Sequence, residues 1–475
     1  MRPATHPSLA PLTAGNPDPL TQFGYQPTLP RTLRTRDLAF YGLIFMVPIA
    51  PFGILGSVFS ASGGMVALAY AVGMVAMLFT ASSYAQMVKA FPMAGSVYSY
   101  AGRAIAAAVG FLAGWTILLD YFLVPGLLAL VAAVAMNAVT PAVPVWAWIA
   151  VFVLGTTAVN MRGMRLTAAM VRIFLIGELV VLALFLMVGV AAIVAGKGNG
   201  LPANAAWFDS ATFSWPVVAA AVSVAMLSFL GFDAISLLAE DNKGAPNQIS
   251  RAMIAALVLA GALFIVQTWV AALLIPHPGA LVADGDPAGT AFYDAARVAA
   301  PWLGALTAVA TALAWGVANT LVAQVATTRL LFAMGRDRQL PAFLAKVSLR
   351  RAVPVNAYLV VAALSLGLGL YMASRDDGIG LLASMVNFGA LVAFITLHVS
   401  VIWHYLVRGR DRSRDRSLWF HLFVPLVGIG LLVLVAINAN VMAQRVALIW
   451  MGVGVVILVG LYATGRRPRL AGQGR

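Results

Sequence analysis

FYGLIFMVPIAPFGILGSVF, residues 40–59, is apolar from end to end and broken in its middle. Pro48 and Pro51 remove backbone donors, and Gly53 and Gly56 loosen the chain between two apolar halves. A second stretch, VAMLSFLGFDAISLLAE (224–240), places Gly231 and Asp233 at its centre. A broken helix exposes N–H and C=O groups at mid-membrane. Lipid cannot satisfy them, so such a break must surround a polar cavity. Its freed N-termini attract a carboxylate and its freed carbonyls attract an ammonium.

Composition supports a lipid solvent. The 475 residues are 62% hydrophobic and 10% charged, and mean hydropathy is +0.93. Soluble domains are nearer about 45–50% apolar and about 25% charged. The chain has no cysteine, which excludes disulfides and thiolate metal sites, and its five histidines are scattered. No cofactor is expected. The net charge of +14 could suggest nucleic acid, but in a membrane protein the position of the charge matters more than its sum.

A crossing needs about 20 apolar residues. Twelve candidates run at about 38–60, 65–88, 108–138, 144–161, 166–195, 214–240, 250–275, 297–333, 354–373, 379–407, 418–438 and 443–464. The eighth is too long for one crossing, and its last turns are expected beyond the bilayer. Residues 1–32 lack a basic start followed by an apolar core and read as a disordered cytoplasmic tail rather than a signal peptide. Residues 465–475 read as a basic cytoplasmic tail.

Lys and Arg favour cytoplasmic loops. With both termini inside, the outer side receives only Lys197, Arg297, Arg375 and Arg445. The inner side receives all the other loop cations, the 408–416 run RGRDRSRDR among them. The expected protein is therefore an all-α, polytopic, twelve-span protein of the cell membrane. Its basic excess meets anionic lipid rather than nucleic acid. Breaks in spans one and six imply two inverted five-helix repeats, about 38–195 and 214–407, followed by two extra helices at 418–464.

Five further stretches carry a resemblance: FPMAGSVYSYAGRAI (91–105), GFLAGWTILLDYFLVP (110–125), LSFLGFDAISLLAED (227–241), RLLFAMGRDRQLP (329–341) and VNFGALVAF (386–394). From about residue 33 onward the chain resembles the amino acid–polyamine–organocation transporters, and within them the putrescine importers and related amino-acid permeases. The resemblance implies a leucine-transporter-like fold over 33–464. It implies import of an amino acid or polyamine by alternating access around unwound helices one and six. It also implies an ion gradient as the driving force, most often protons. Exchange of amino acid for polyamine is the alternative. Neither substrate identity nor oligomeric state is legible.

Asp120 is the sole charge between Arg103 and Arg162. A charge at bilayer centre costs about 2.5–3.5 kcal/mol on insertion scales, so it should face a cavity or a partner. The resemblance places an acid after GW-x-x-L-x in cationic members, and GWTILLDY supplies one. Asp120 could hold an ammonium or carry the proton; an aspartate bonded to helix backbone is the plain structural alternative. Glu178 stands where many proton-coupled relatives carry a lysine. It is the second proton-coupling candidate, with structural pairing to Arg172 as its alternative. The expected substrate site comprises Ile49, Ala50, Gly53 and Ile54 at the first break. It adds Asp120, and Phe229, Gly231, Phe232 and Asp233 at the second break. Phe229 and Phe232 are candidates for an aromatic lid, and Asp233 for a cap on the second half-helix. Glu240 and Lys243 suggest a gate pair, and His398 and His404 read as structural.

Three buried carboxylates favour a cationic substrate. Against this, putrescine importers carry an acid in the first break, where this chain has Gly53. An intramembrane aspartyl protease would need differently ordered aspartates. The chain has no G-x-S-x-G, no H-E-x-x-H and no phosphate loop, so no enzyme is expected.

Overall fold

A computed structural model describes residues 35–91, 97–162, 164–241, 246–336, 340–348, 353–408 and 417–465. The tail at 1–32, the tail beyond Gly465, Lys243 and the basic run from 409 to 416 lie outside them, as do the side chains of Arg172 and Glu240.

Every regular element among the described residues is helical. The first span is α1 (Thr35–Met46), a 3-10 turn (Ala50–Gly53) and α2 (Leu55–Ala61). Then come α3 (Val66–Ala90), α4 (Val97–Ala104), α5 (Ala107–Val139), α6 (Val145–Asn160) and α7 (Met164–Val194). The sixth expected span is α8 (Trp215–Ala225) followed by two 3-10 segments, Met226–Phe229 and Phe232–Asp241. After it run α9 (Pro246–Ala272), α10 (Pro278–Asp284), α11 (Ala291–Ala299), α12 (Pro301–Leu313), a wide π-helical turn (Ala314–Asn319) and α13 (Thr320–Arg336). The last are α14 (Val355–Ala373), α15 (Gly378–Ile402), α16 (Val424–Asn438) and α17 (Val441–Ala463).

Among the described residues nine helices are long and apolar enough to cross a membrane, ten if the bent α1–α2 pair counts as one, and two more apolar helices are shorter. Large apolar side chains face outward along them, including Val194 (82% exposed) and Val456 (71%). Water would penalise that surface by roughly 25 cal/mol per Å², whereas lipid does not. The chain is an integral membrane protein.

The eighth candidate differs from its reading. Its first residues form a separate helix, α11, because Ala300 is extended and Pro301 starts a new helix at its first turn. Sequence periodicity also missed the short helices α4 and α10.

Helix α5 is the axis. It packs against α4, α6, α12, α13, α14, α15 and α17. Small residues permit close approach: a β-carbon on Gly389 of α15 would lie 2.9 Å from the Thr116 carbonyl oxygen of α5. The most apolar window of α15 is 78% buried and that of α17 only 11%, so α15 is central and α17 peripheral. A reciprocal pair stitches α17 on. Trp115 Nε1 donates to the Trp450 carbonyl at 2.7 Å, and Trp450 Nε1 donates to the Trp115 carbonyl at 2.7 Å. Their rings stack at 4.6 Å. Loops at one end carry Asp284, Asp286, Asp376 and Asp377, and the opposite end carries Arg103, Arg162, Arg251 and Arg408.

Candidate functional site

The two interruptions seen in the sequence are real breaks, and they meet. At the first, α1 stops at Met46, and Val47 adopts φ 51°, the one positive φ at a non-glycine among the described residues. The next residue is Pro48, whose ring disfavours helical geometry for the residue before it. The chain then tightens into the Ala50–Gly53 turn, and α2 leaves at 67° to the first half. A freed carbonyl finds a partner in α9: Gln267 Nε2 donates to Pro48 O at 3.0 Å and to Leu263 O at 2.9 Å.

At the second break, Leu230 is extended and Gly231 has φ 107°. A β-carbon on Gly231 would lie 2.9 Å from the Phe45 carbonyl oxygen, so the end of α1 rests on this glycine. Asn387 of α15 closes the turn before the break by donating from Nδ2 to Ser223 O at 2.7 Å and Val224 O at 3.2 Å. Tyr70 and Ser228 share a hydrogen bond at 3.1 Å.

Asp233 turns its carboxylate onto the backbone N–H groups of Gly231, Asp233 and Ala234 and accepts a bond from the Tyr84 hydroxyl at 3.4 Å. Asp120 of α5 lies within electrostatic range of Asp233, and Tyr121 within range of both. Both aspartates are half-buried rather than sealed. Neither has a cationic partner among the described residues. Local chemistry fixes Asp120: Pro125 cannot donate to the carbonyl four residues earlier, and the Thr327 hydroxyl replaces it by donating to Tyr121 O at 2.8 Å.

The candidates lie at different depths along α5. Ile49, Ala50, Gly53 and Ile54 are all buried. A β-carbon on Gly53 would press on Val131 of α5 and meet Trp315 and Thr311 at 3.5 and 3.6 Å. Val131 is eleven residues beyond Asp120, about 16 Å along a helix. Asp120 lies near Asp233 of the second break and about three helical turns from the residue that touches Gly53. Phe229 packs with Phe264 and Tyr70, at ring distances of 5.2 and 6.1 Å; Phe232 packs with Tyr84 and Phe394, at 5.8 and 5.9 Å. Both rings are fully buried. Glu178 sits apart on α7, 6% exposed, its Oε2 without a hydrogen-bond partner among the described residues. Its helix packs on α9, α12 and the π-helical turn. His398 is buried in α15 and bonds Ser83 at 2.7 Å.

Sequence reasoning passed over Gln267, Asn387, Tyr84 and Thr327. Each is a polar side chain inside an apolar run, which is the available signal, yet only the fold shows which orphaned carbonyl or carboxylate each one serves.

A cavity of about 720 Å³ opens at the aspartate-bearing end between α2, α5, α8 and α15. Asp286 lies at its mouth. It accepts N–H bonds from Thr290 at 3.1 Å and Ala291 at 3.2 Å and so caps α11. Burial pushes the Asp286 carboxyl above the ordinary aspartate range, while the Ala291 and Thr290 N–H bonds pull it down. Among the described residues no cluster of three histidine, aspartate or glutamate side chains is placed to hold a metal ion.

Comparison with known proteins adds relatives to this geometry. Residues 40–463 match the family described as amino acid permease. The chain is similar to the low-affinity putrescine importer PlaP of Escherichia coli strain K12, 31% identical over 93% of this chain and 95% of the relative. It is similar to the methylthioribose transporter of Bacillus subtilis, 25% identical over 90% of this chain and 93% of the relative. The branched-chain amino acid permease BcaP of Bacillus subtilis is 24% identical, over 90% of this chain and 92% of the relative.

Proposed function

The chain belongs to the amino acid permease family, and from that premise we propose that this transporter imports a small organic cation, with a diamine such as putrescine first among candidates. The observation that carries the reading is the Asp120–Asp233 pair. Two half-buried carboxylates from different helices approach one another with no cation between them among the described residues. Two like charges held together in a low-dielectric interior repel, and an ammonium between them relieves that repulsion. Tyr84 and Tyr121 add hydroxyls beside the pair. Similarity to a putrescine importer over 93% of the chain supports the same substrate class.

Twelve spans in two inverted five-helix repeats, with two extra helices, make the frame. The end bearing Arg103, Arg162, Arg251 and Arg408 faces the cytoplasm by the charge rule. Access alternates around the breaks where Phe45 meets Gly231. Glu178 couples the cycle to protons, since an intramembrane carboxyl whose Oε2 has no partner among the described residues is by default a functional group.

A neutral amino-acid permease is the second reading. The packed first break around Gly53 favours it, because Gly53 stands where putrescine importers carry an acid.

The test is uptake into proteoliposomes with an imposed inward proton gradient. Labelled putrescine is offered, with unlabelled amino acids as competitors. Gradient-dependent putrescine uptake is expected. Its absence, with uptake of a labelled neutral amino acid in parallel vesicles, would replace the cation reading with the permease one.

A further inference from the structure

We propose that the cavity at the aspartate-bearing end is a capture subsite for an organic dication, separate from the Asp120–Asp233 pair. The proposal rests on the cation reading above for its role in transport, and its geometry stands without it.

The mouth is lined by Asp284, Asp286, Asp376 and Asp377, with Arg375 as the cation among the lining residues. Arg375 is already engaged: its Nε donates to Asp377 Oδ1 at 2.8 Å and its Nη2 to Asp377 Oδ2 at 3.1 Å. Asp286 is engaged in capping α11. That leaves Asp284 and Asp376, both exposed, with no hydrogen bond or ion pair to any side chain among the described residues. Four carboxylates against one guanidinium give the mouth a net formal charge of −3. The N-terminus of α15 adds only about half a positive charge.

The floor is a separate observation. Ser384 of α15 is 3% exposed and lines the cavity, and among the described residues it has no hydrogen-bond partner. Its hydroxyl opens onto the cavity and is free to hydrogen-bond with whatever enters. Ser223 also lines the floor; it gives its proton to Ala220 O at 2.7 Å and keeps lone pairs free. Ser57 of α2 stands beside Gly380 on the same wall.

An anionic rim above hydroxyl groups matches a ligand that is positive at both ends and donates hydrogen bonds. An alkane diammonium presents one ammonium to Asp284 and Asp376 and the other to the serine oxygens. A zwitterionic amino acid carries no net charge and brings a carboxylate to a negative rim. Clefts lined by one sign of charge raise the local concentration of the opposite ion.

The test uses the full chain in lipid nanodiscs. Equilibrium binding of labelled putrescine and uptake by proteoliposomes are measured in parallel, for wild type and for D284N/D376N/S384A. Two putrescines per chain are expected in the wild type and one in the variant. Wild-type uptake at low putrescine should also fall with added salt on the order of threefold to tenfold. Uptake of a neutral amino acid should not. The salt arm needs no variant and holds if the triple variant fails to fold. Equal stoichiometry in both proteins, with putrescine transported, overturns the subsite and leaves the transport reading intact. No putrescine uptake, with one putrescine still bound and lost in the variant, overturns the transport reading and supports the subsite. No binding to the wild type overturns the subsite.

Discussion

Gly231 and Phe45 join the two broken helices: the glycine has φ 107°, and a β-carbon there would lie 2.9 Å from both Cβ and the carbonyl oxygen of Phe45. A side chain at this position meets backbone as well as a strained dihedral. We predict that Gly231→Ala costs on the order of 1–3 kcal/mol in backbone strain and parts the end of α1 from the second break. The melting midpoint in detergent should fall, and uptake should fall further than the loss of folded protein explains. A variant with wild-type midpoint and uptake would show that the contact is dispensable.

Much of this arrangement is legible in the sequence. Pro48, Pro51, Gly231 and Asp233 mark both breaks, because they remove donors or permit dihedrals that a continuous helix forbids. The apolar runs place helices to within about one helical turn, because lipid demands a fixed length. What could not be read was relative depth. Asp120 and Gly53 share one expected site in the sequence, yet α5 carries Asp120 about 16 Å from the residue that touches Gly53. The cavity mouth was hidden for a similar reason. Asp284 and Asp376 lie in separate loops that periodicity leaves blank, and only the packing of α15 beside α2 and α8 brings them together. The split of the eighth span needed the extended backbone at Ala300, which an apolar sequence does not announce.

Asp286 gives a pH dependence that can be isolated. Burial raises its carboxyl above the ordinary range, so the folded protein holds that proton more tightly than the unfolded chain. From the ordinary aspartate value, about 4, up to the raised one, the folded state binds more protons, and stability falls as pH rises through that window. Asp286→Asn keeps one acceptor for the α11 N–H groups and removes the charge. The melting midpoint of the wild type minus that of the variant is predicted to decrease across that window and then level off. A difference that stays flat from acid to neutral pH would contradict the assignment.

Asp120→Asn tests the carboxylate pair. Asparagine keeps the shape and loses the charge, leaving Asp233 as the single anion near Tyr84 and Tyr121. A hydrogen bond to a charged group contributes about 1.5–3 kcal/mol, so KM for putrescine should rise on the order of tenfold to a hundredfold. Relief of like-charge repulsion should leave folding unharmed or improved. Unchanged uptake and unchanged competition by diamines would remove Asp120 from the site.

Glu178→Gln separates coupling from binding. The carboxyl is buried on α7 with Oε2 unpartnered among the described residues, and Asp120 and Asp233 interact with each other rather than with it. Glutamine fills the same volume and cannot release a proton. If Glu178 carries the coupling proton, the variant should lose stimulation by an inward proton gradient. It should still exchange labelled for unlabelled substrate across a membrane without a gradient, because exchange needs the alternating motion but no net proton movement. Its KM in exchange should stay within about twofold of wild type, since a residue outside the binding pair contributes less than about 0.4 kcal/mol to substrate affinity. The measurement is initial uptake with and without the gradient, set beside counterflow in the same vesicles. Full gradient stimulation in Glu178→Gln would move the coupling role to another carboxyl, with Asp233 the next to substitute. Loss of uptake and counterflow together would make Glu178 a structural group within α7 rather than the coupling group.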